Sequence, residues 1–237
     1  MDTEHPEKEK INLERMADFF VARLAGYEEH MLMDEGIQAY RKMAELVPAD
    51  TNSILDLGCG TGLELDEIFR KLPDVSVTGI DLTREMLDVL EAKHPDKHMR
   101  LICGDYLNVD LGNGEFDTAV SFMSLHHFSH GTKVELYRKV YKALKTNGSY
   151  IECDYMVTEQ SVEDELFAEN ARLRWEQGIP EGDHCHFDTP CTIDTQVMLL
   201  KKAGFSDVTP VFREGNTTII TAMKQGGNGG GEKEPGS

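Results

Sequence analysis

Residues 53–62 read Ser53-Ile54-Leu55-Asp56-Leu57-Gly58-Cys59-Gly60-Thr61-Gly62, and this stretch decides the fold. Its first half is a short, almost wholly apolar run, which reads as a buried strand. Its second half carries a glycine at every second position. Glycine lets a backbone turn sharply and approach a ligand closely. Residues 63–72 then follow a helical pattern that Pro73 stops. Strand, glycine turn and helix start together gather free backbone N–H groups and the positive end of a helix dipole at one point. The reading is a nucleotide-like ligand at the carboxyl end of the first strand.

Outward from this loop, strand and helix alternate. Strands are expected at 75–80 (VSVTGI), 99–103, 116–122 (FDTAVSF) and, after a turn at Thr146-Asn147-Gly148, at 149–153. Helices are expected at 83–93 and 133–144. Short connections between alternating elements imply a parallel sheet with helices on both faces. Upstream, Asn12 is placed to cap a helix in which Leu13, Met16, Phe19, Phe20, Leu24 and Tyr27 fall near helical spacing. A second helix covers 34–46 and ends before Pro48. Downstream, a helix over 163–177 precedes a loop at 178–190 rich in Gly, Pro, Asp and His. A helix over 195–203 ends at Gly204. Runs at 208–212 and 217–222 are joined by Arg213-Glu214-Gly215-Asn216, the signature of an antiparallel hairpin. The chain divides into a flexible arm (1–11), an N-terminal helical lid (12–48), a ligand-binding core (49–156), an insertion (157–194), a terminal helix and hairpin (195–224) and a disordered tail (225–237).

Composition narrows the partners. The 237 residues include 24 Lys and Arg against 43 Asp and Glu, a net charge of −19. Such a chain repels a phosphate backbone, so nucleic acid is not expected as a partner. No apolar run reaches the roughly 20 residues that span a bilayer. The opening MDTEHPEKEK, charged with both signs and without an apolar core, is not expected to act as a signal peptide. Five cysteines without CxxC pairs suit a reducing cytoplasm. Cys59, Cys103 and Cys153 read as small buried apolar groups, and Trp175, the only tryptophan, reads as core.

The ligand follows from the acid in the loop. A dinucleotide fingerprint would need a third glycine at position 63, which is Leu63. This opposes a nicotinamide-dependent oxidoreductase. The pattern is instead DxGxGxG, and Asp56 suits a ligand carrying an ammonium group. That points to S-adenosylmethionine.

With ILDLGCGTG (54–62), VTGIDLT (77–83), LICGDYLNV (101–109), FDTAVSFMSLHHF (116–128) and KKAGFSDV (201–208), the chain resembles the class I S-adenosylmethionine-dependent methyltransferases over about residues 12–224. More narrowly it resembles a bacterial group near the wobble-uridine tRNA methyltransferases and the ubiquinone-type C-methyltransferases. The resemblance implies an α/β fold with a Rossmann-like seven-stranded sheet, mostly parallel with the last strand antiparallel, under a helical lid. It implies that Gly58, Gly60 and Gly62 approach the methionine and ribose portions and that Asp56 lies near the amino group. Asp81 would accept from the ribose hydroxyls, Leu82 and Met86 would lie against the adenine, and Asp105 would accept from its amine. Tyr106 would line that pocket, and Ser121 would face the methionine part.

Arg23 and Tyr27 are four apart and share a helix face. The resemblance has this helix close over the cofactor, with Arg23 on its carboxylate and Tyr27 over the sulfonium. The alternative is an amphipathic helix packed on the sheet with Arg23 in solvent. On the acceptor side, His126 and Tyr155 are the candidates for contact with the reacting group. His126 and His127 can equally cap the next helix, and Tyr155 can be core. Methyl transfer is an in-line displacement that needs alignment, and a base only where the acceptor must lose a proton. The acceptor is expected to be a small molecule, the protein a monomer or homodimer. A tRNA-directed or modified-cofactor relative and a non-catalytic cofactor sensor are the rival functions. His184, His186 and Cys191 are ligand types that suit zinc. Their spacing matches no common structural zinc pattern, so no metal is expected.

Overall fold

The computed structural model describes residues 11–32, 34–180 and 182–226. Residues 1–10 of the expected arm (1–11) and 227–237 of the expected tail (225–237) lie outside the described residues. The elements run α1 (Met16–Met31), α2 (Asp34–Leu46), β1 (Ser53–Leu57), α3 (Leu63–Lys71), β2 (Ser76–Asp81), α4 (Arg84–Lys93), β3 (Met99–Cys103), β4 (Phe116–Phe122), α5 (His130–Ala143), β5 (Leu144–Tyr155), α6 (Gln160–Glu176), α7 (Ile193–Ala203), β6 (Ser206–Glu214) and β7 (Thr217–Met223).

The strands form one seven-stranded sheet in the order β3-β2-β1-β4-β5-β7-β6. β1 pairs parallel with β2 and β4, β2 with β3, and β4 with β5, whereas β7 is antiparallel to both β5 and β6. The expected sheet, with its antiparallel last strand, is the one observed.

Strand alternation divides the core. Leu55 and Leu57 face a cluster shared with Tyr137, Val140, Leu199 and Leu200 of α5 and α7. Ile54 faces the opposite cluster with Tyr40, Met43, Leu65, Ile68 and Leu87 from α2, α3 and α4. Each fully buried Leu or Ile contributes roughly 1.5–3 kcal/mol. The order of β1 between β2 and β4 leaves its carboxyl end, and the glycine loop on it, at the centre of the sheet's upper edge.

Four expectations are corrected. Arg15, not Asn12, stands at the start of α1, and its side chain makes no capping bond. The preceding backbone is held instead by the insertion: Met16 N donates to His184 O at 3.0 Å, and His186 N donates to Glu14 O at 2.9 Å. β5 begins before the turn at Thr146-Asn147-Gly148 and carries it as an irregularity; pairing slips from Phe116↔Leu144 to Thr118↔Ser149, with Asn147 at φ +64°. Trp175 is 84% exposed on α6. Cys103 is exposed at the end of β3, although Cys59 and Cys153 are buried.

Candidate active site

The glycine loop is stitched to the end of β2. Gly58 N and Cys59 N donate to Ile80 O at 2.8 and 3.2 Å. Gly60 N donates to Asp81 Oδ2 at 3.0 Å, while Asp81 Oδ1 accepts from Thr83 N at 2.9 Å and Thr83 Oγ1 at 2.8 Å. Asp81 therefore both orders the loop and borders the cavity beside it. Burial raises its carboxyl above the usual range, against the bonds from Thr83 and Gly60. Gly58, Gly60, Asp81, Leu82, Met86 and Tyr106 line that cavity, and Phe20 and Tyr27 of α1 close it from above.

The loop glycines have different tasks. Gly58, Gly60 and Gly62 all have positive φ, at 72°, 48° and 75°. A Cβ on Gly58 would collide with Ser124 Oγ, and one on Gly60 would meet Tyr27 OH at 3.5 Å. Gly62 stands at the N-terminus of α3, where a Cβ would strike Leu90 of α4. It borders only the small cleft at Thr61 and Glu64, so its first role is helix packing.

Asp56 is fully buried, and neither of its oxygens meets a hydrogen-bond donor among the described residues; Thr61 Oγ1 and Glu64 Oε1 are also unpartnered. Burial, helped by the charge of Asp81, pushes Asp56 up to about 7, against a contact with Glu64; burial and the Asp56 charge push Glu64 up as well. Buried carboxyls without partners are costly. A ligand ammonium beside the Gly58–Gly62 loop supplies the missing positive charge, so this donor set fits the amino-acid end of S-adenosylmethionine. The sequence did not single out Glu64. An acid in the first turn of a helix complements the dipole, which gives it an ordinary local explanation.

Other expected contacts lie elsewhere. The Asp105 carboxylate accepts from Leu107 N at 2.8 Å and Asn108 Nδ2 at 2.7 Å and stands 3.5 Å from His184 Nε2. It shapes the loop after β3 and does not line the cavity. Ser121 is buried, with its hydroxyl 2.7 Å from Tyr150 OH on the other face of the sheet. Arg23 pairs with Glu14 at 3.1 Å and lies over the Phe19 ring. It borders the neighbouring cavity, not the one beside Asp81.

That neighbouring cavity, of about 880 Å³, shares Phe20, Tyr27, Phe122, Met123 and His127 with the first. His126, Tyr155, His186 and Asp188 stand on its far wall. His126 Nδ1 lies 2.5 Å from Asp154 Oδ1, and Asp154 also accepts from Leu125 N and Tyr155 N. Burial works against a charged His126, but Asp154 and then Asp188 outweigh it and raise the imidazole to about 9. Tyr155 meets the His126 ring edge-on at 5.9 Å. His184, His186 and Cys191 are not brought together. His184 reaches Asp105, His186 stacks on Phe19 at 3.4 Å, and Cys191 Sγ lies 3.6 Å from Lys133 Nζ.

A seven-stranded sheet of this order, a DxGxGxG loop after its first strand and acids after its second and third strands define a class I S-adenosylmethionine-dependent methyltransferase. The chain carries a methyltransferase domain on this fold, and S-adenosylmethionine is the cofactor of that class. Residues 54–148 match the family model described as a methyltransferase domain. The chain is 31% identical over 101 residues to a malonyl-[acyl-carrier protein] O-methyltransferase of Priestia megaterium, covering 42% of this chain and 35% of that protein. It is 24% identical over 188 residues to a carboxy-S-adenosyl-L-methionine synthase of Nautilia profundicola, covering 74% and 79%. Its fold resembles a putative O-methyltransferase from Nostoc punctiforme, with a TM-score of 0.69 at 21% identity over 90% of this chain and 63% of that one. It also resembles human N-acetylserotonin methyltransferase in complex with its methyl donor, with a TM-score of 0.60 at 18% identity over 87% of this chain and 59% of that one. The chain thus spans 35% of the first of these relatives and less than two thirds of either solved structure. No helix among the described residues is long and apolar enough to cross a membrane.

Proposed function

We propose that this protein transfers the methyl group of S-adenosylmethionine to a small-molecule acceptor that loses a proton from oxygen or nitrogen. The observation that carries the reading is the pair of adjoining cavities. One is bounded by the glycine loop and Asp81; the other has the His126–Asp154 pair on its wall, and α1 roofs both. A volume of about 880 Å³ suits a small molecule, and a charge of −19 opposes tRNA.

In this reading Asp56 and Glu64 hold the cofactor ammonium, Asp81 takes the ribose hydroxyls, and Leu82 and Met86 lie along the base. The bound cofactor supplies an electrophilic methyl group. Phe20 and Tyr27 exclude water from the approach, and His126 and Tyr155 face the acceptor. The unpaired cysteines suit the reducing cytoplasm.

The test is a labelled methyl donor incubated with the protein and a metabolite extract. Label in a small molecule, with one S-adenosylhomocysteine formed per methyl, is the expected result. Binding of S-adenosylhomocysteine with no transfer to any extract would leave a cofactor sensor in its place.

A further inference from the structure

Four side chains from two segments converge on the acceptor cavity. Asp188 Oδ1 lies 3.5 Å from His126 Nε2, 3.3 Å from His127 Nδ1 and 3.9 Å from His186 Nε2. This oxygen is sealed from solvent and has no hydrogen bond of normal geometry among the described residues. The separations are long for hydrogen bonds. Those to His126 and His127 are near the ligand-to-ligand edges of a small coordination polyhedron, since with bonds of about 2.0–2.1 Å a tetrahedral site has edges of about 3.3–3.4 Å, and His186 stands farther off.

The surroundings are those of a metal site. His126 Nδ1 stands 2.5 Å from Asp154 Oδ1, which leaves Nε2 as the ring nitrogen turned toward Asp188. The His186 ring is clamped on Phe19. His126, His127 and Asp188 offer ligand atoms all within 4.8 Å of one another. The other group with such spacing, His130, Glu163 and Cys191, is poorly suited: His130 and Glu163 pair at 2.9 Å, and the Lys133 ammonium already stands beside Cys191.

We propose that His126, His127 and Asp188, with His186 beside them, bind a divalent first-row transition ion, of the kind that imidazole and carboxylate ligands favour, on the wall of the acceptor cavity. This amends the sequence expectation of no metal, and its use in catalysis rests on the acceptor reading above. An acceptor hydroxyl reaching the ion loses its proton to water at neutral pH. The resulting oxyanion forms a bond to the methyl carbon as the carbon–sulfur bond of the sulfonium breaks, leaving a neutral thioether. His126 then serves as a ligand and not as a free base.

The experiment is a titration of the metal-free full chain with Co2+, read by visible absorption, without any methyl donor. One equivalent should bind with the intense bands of low coordination number. Asp188→Ala should lose affinity at least 100-fold, and His186→Ala and Asp154→Asn about 10–100-fold through the second shell. S-adenosylhomocysteine affinity, measured by calorimetry, should stay native in Asp188→Ala and His186→Ala, showing that both fold. Absence of stoichiometric binding, or binding that survives both substitutions, overturns the site. So does a thiolate band that Cys191→Ser removes, because the ion would then sit at Glu163. Metal binding without methyl transfer would leave the site standing and remove the methyltransferase reading.

Discussion

Asp56 and Glu64 bring two buried carboxyl groups together beneath the glycine loop, and no cation or backbone N–H from the surrounding described residues satisfies Asp56. The sign of the pH effect follows. Asp56 has a folded value of about 7 against 3.8 for the free side chain. Below 3.8 its burial costs nothing in charge. As pH rises from there, the unfolded chain ionises first, and the unliganded protein loses stability until about 7. Asp56→Asn is therefore expected to stabilise the unliganded protein at pH 8 by roughly 1–3 kcal/mol while weakening S-adenosylhomocysteine binding. Thermal unfolding with and without ligand checks both; a variant less stable at pH 8 would contradict the unpaired-charge account.

The same pair makes binding pH-dependent. The ligand ammonium favours the ionised carboxyls, so binding releases protons and affinity rises with pH through about 7. Calorimetry in buffers of different ionisation heat should show that release at pH 6. Affinity flat from pH 5.5 to 8 would remove Asp56 and Glu64 from the ammonium site.

Asp81→Ala is expected to weaken cofactor binding by roughly 1–3 kcal/mol. It removes both an acceptor facing the cavity and the bond that holds Gly60 N. Asp81→Asn keeps an acceptor and should lose less. Equal losses in the two variants would mean that charge, not the acceptor, is what matters.

Gly60→Val should abolish binding in a protein that still folds. A Cβ at Gly60 meets only the Tyr27 side chain, its OH at 3.5 Å, so the fold tolerates it, although the branched side chain enters the ligand's space and strains a φ of +48°. Circular dichroism is the control. Arg23→Ala, by contrast, should leave cofactor affinity within about 0.5 kcal/mol, since its guanidinium is engaged by Glu14 outside that cavity.

Arg15 bridges to Cys185, and His186 N binds Glu14 O, so the start of α1 and the insertion are one unit over both cavities. Hydrogen exchange with S-adenosylhomocysteine should show added protection at 15–31 and around 184–192 together. Protection confined to 58–62 would show that this roof does not close on the ligand.

The sheet was legible in the sequence because its signals are local. SILDL before GCGTG, VSVTGI before Asp81 and FDTAVSF before the histidines each pair a hydrophobic run with a turn, and parallel packing rewards that pattern whatever lies far along the chain. The loop, its ligand class and Asp56 and Asp81 came with it. The ends of elements were less legible. Asn12 looked like a cap, but backbone bonds to residues 184–186 set the start of α1.

What tertiary structure alone decided is which polar groups meet. The sequence placed Ser121 at the methionine end of the cofactor, yet alternation along β4 turns its hydroxyl to Tyr150. Glu64 looked like a helix-dipole acid and proved to be a buried partner of Asp56. His186 stood in a suspected set with His184 and Cys191, yet it joins His126 and His127, about 60 residues earlier, around Asp188. Sequence records residue types and local periods. The convergence of distant side chains depends on how loops cross the carboxyl edge of the sheet, and no local pattern encodes that.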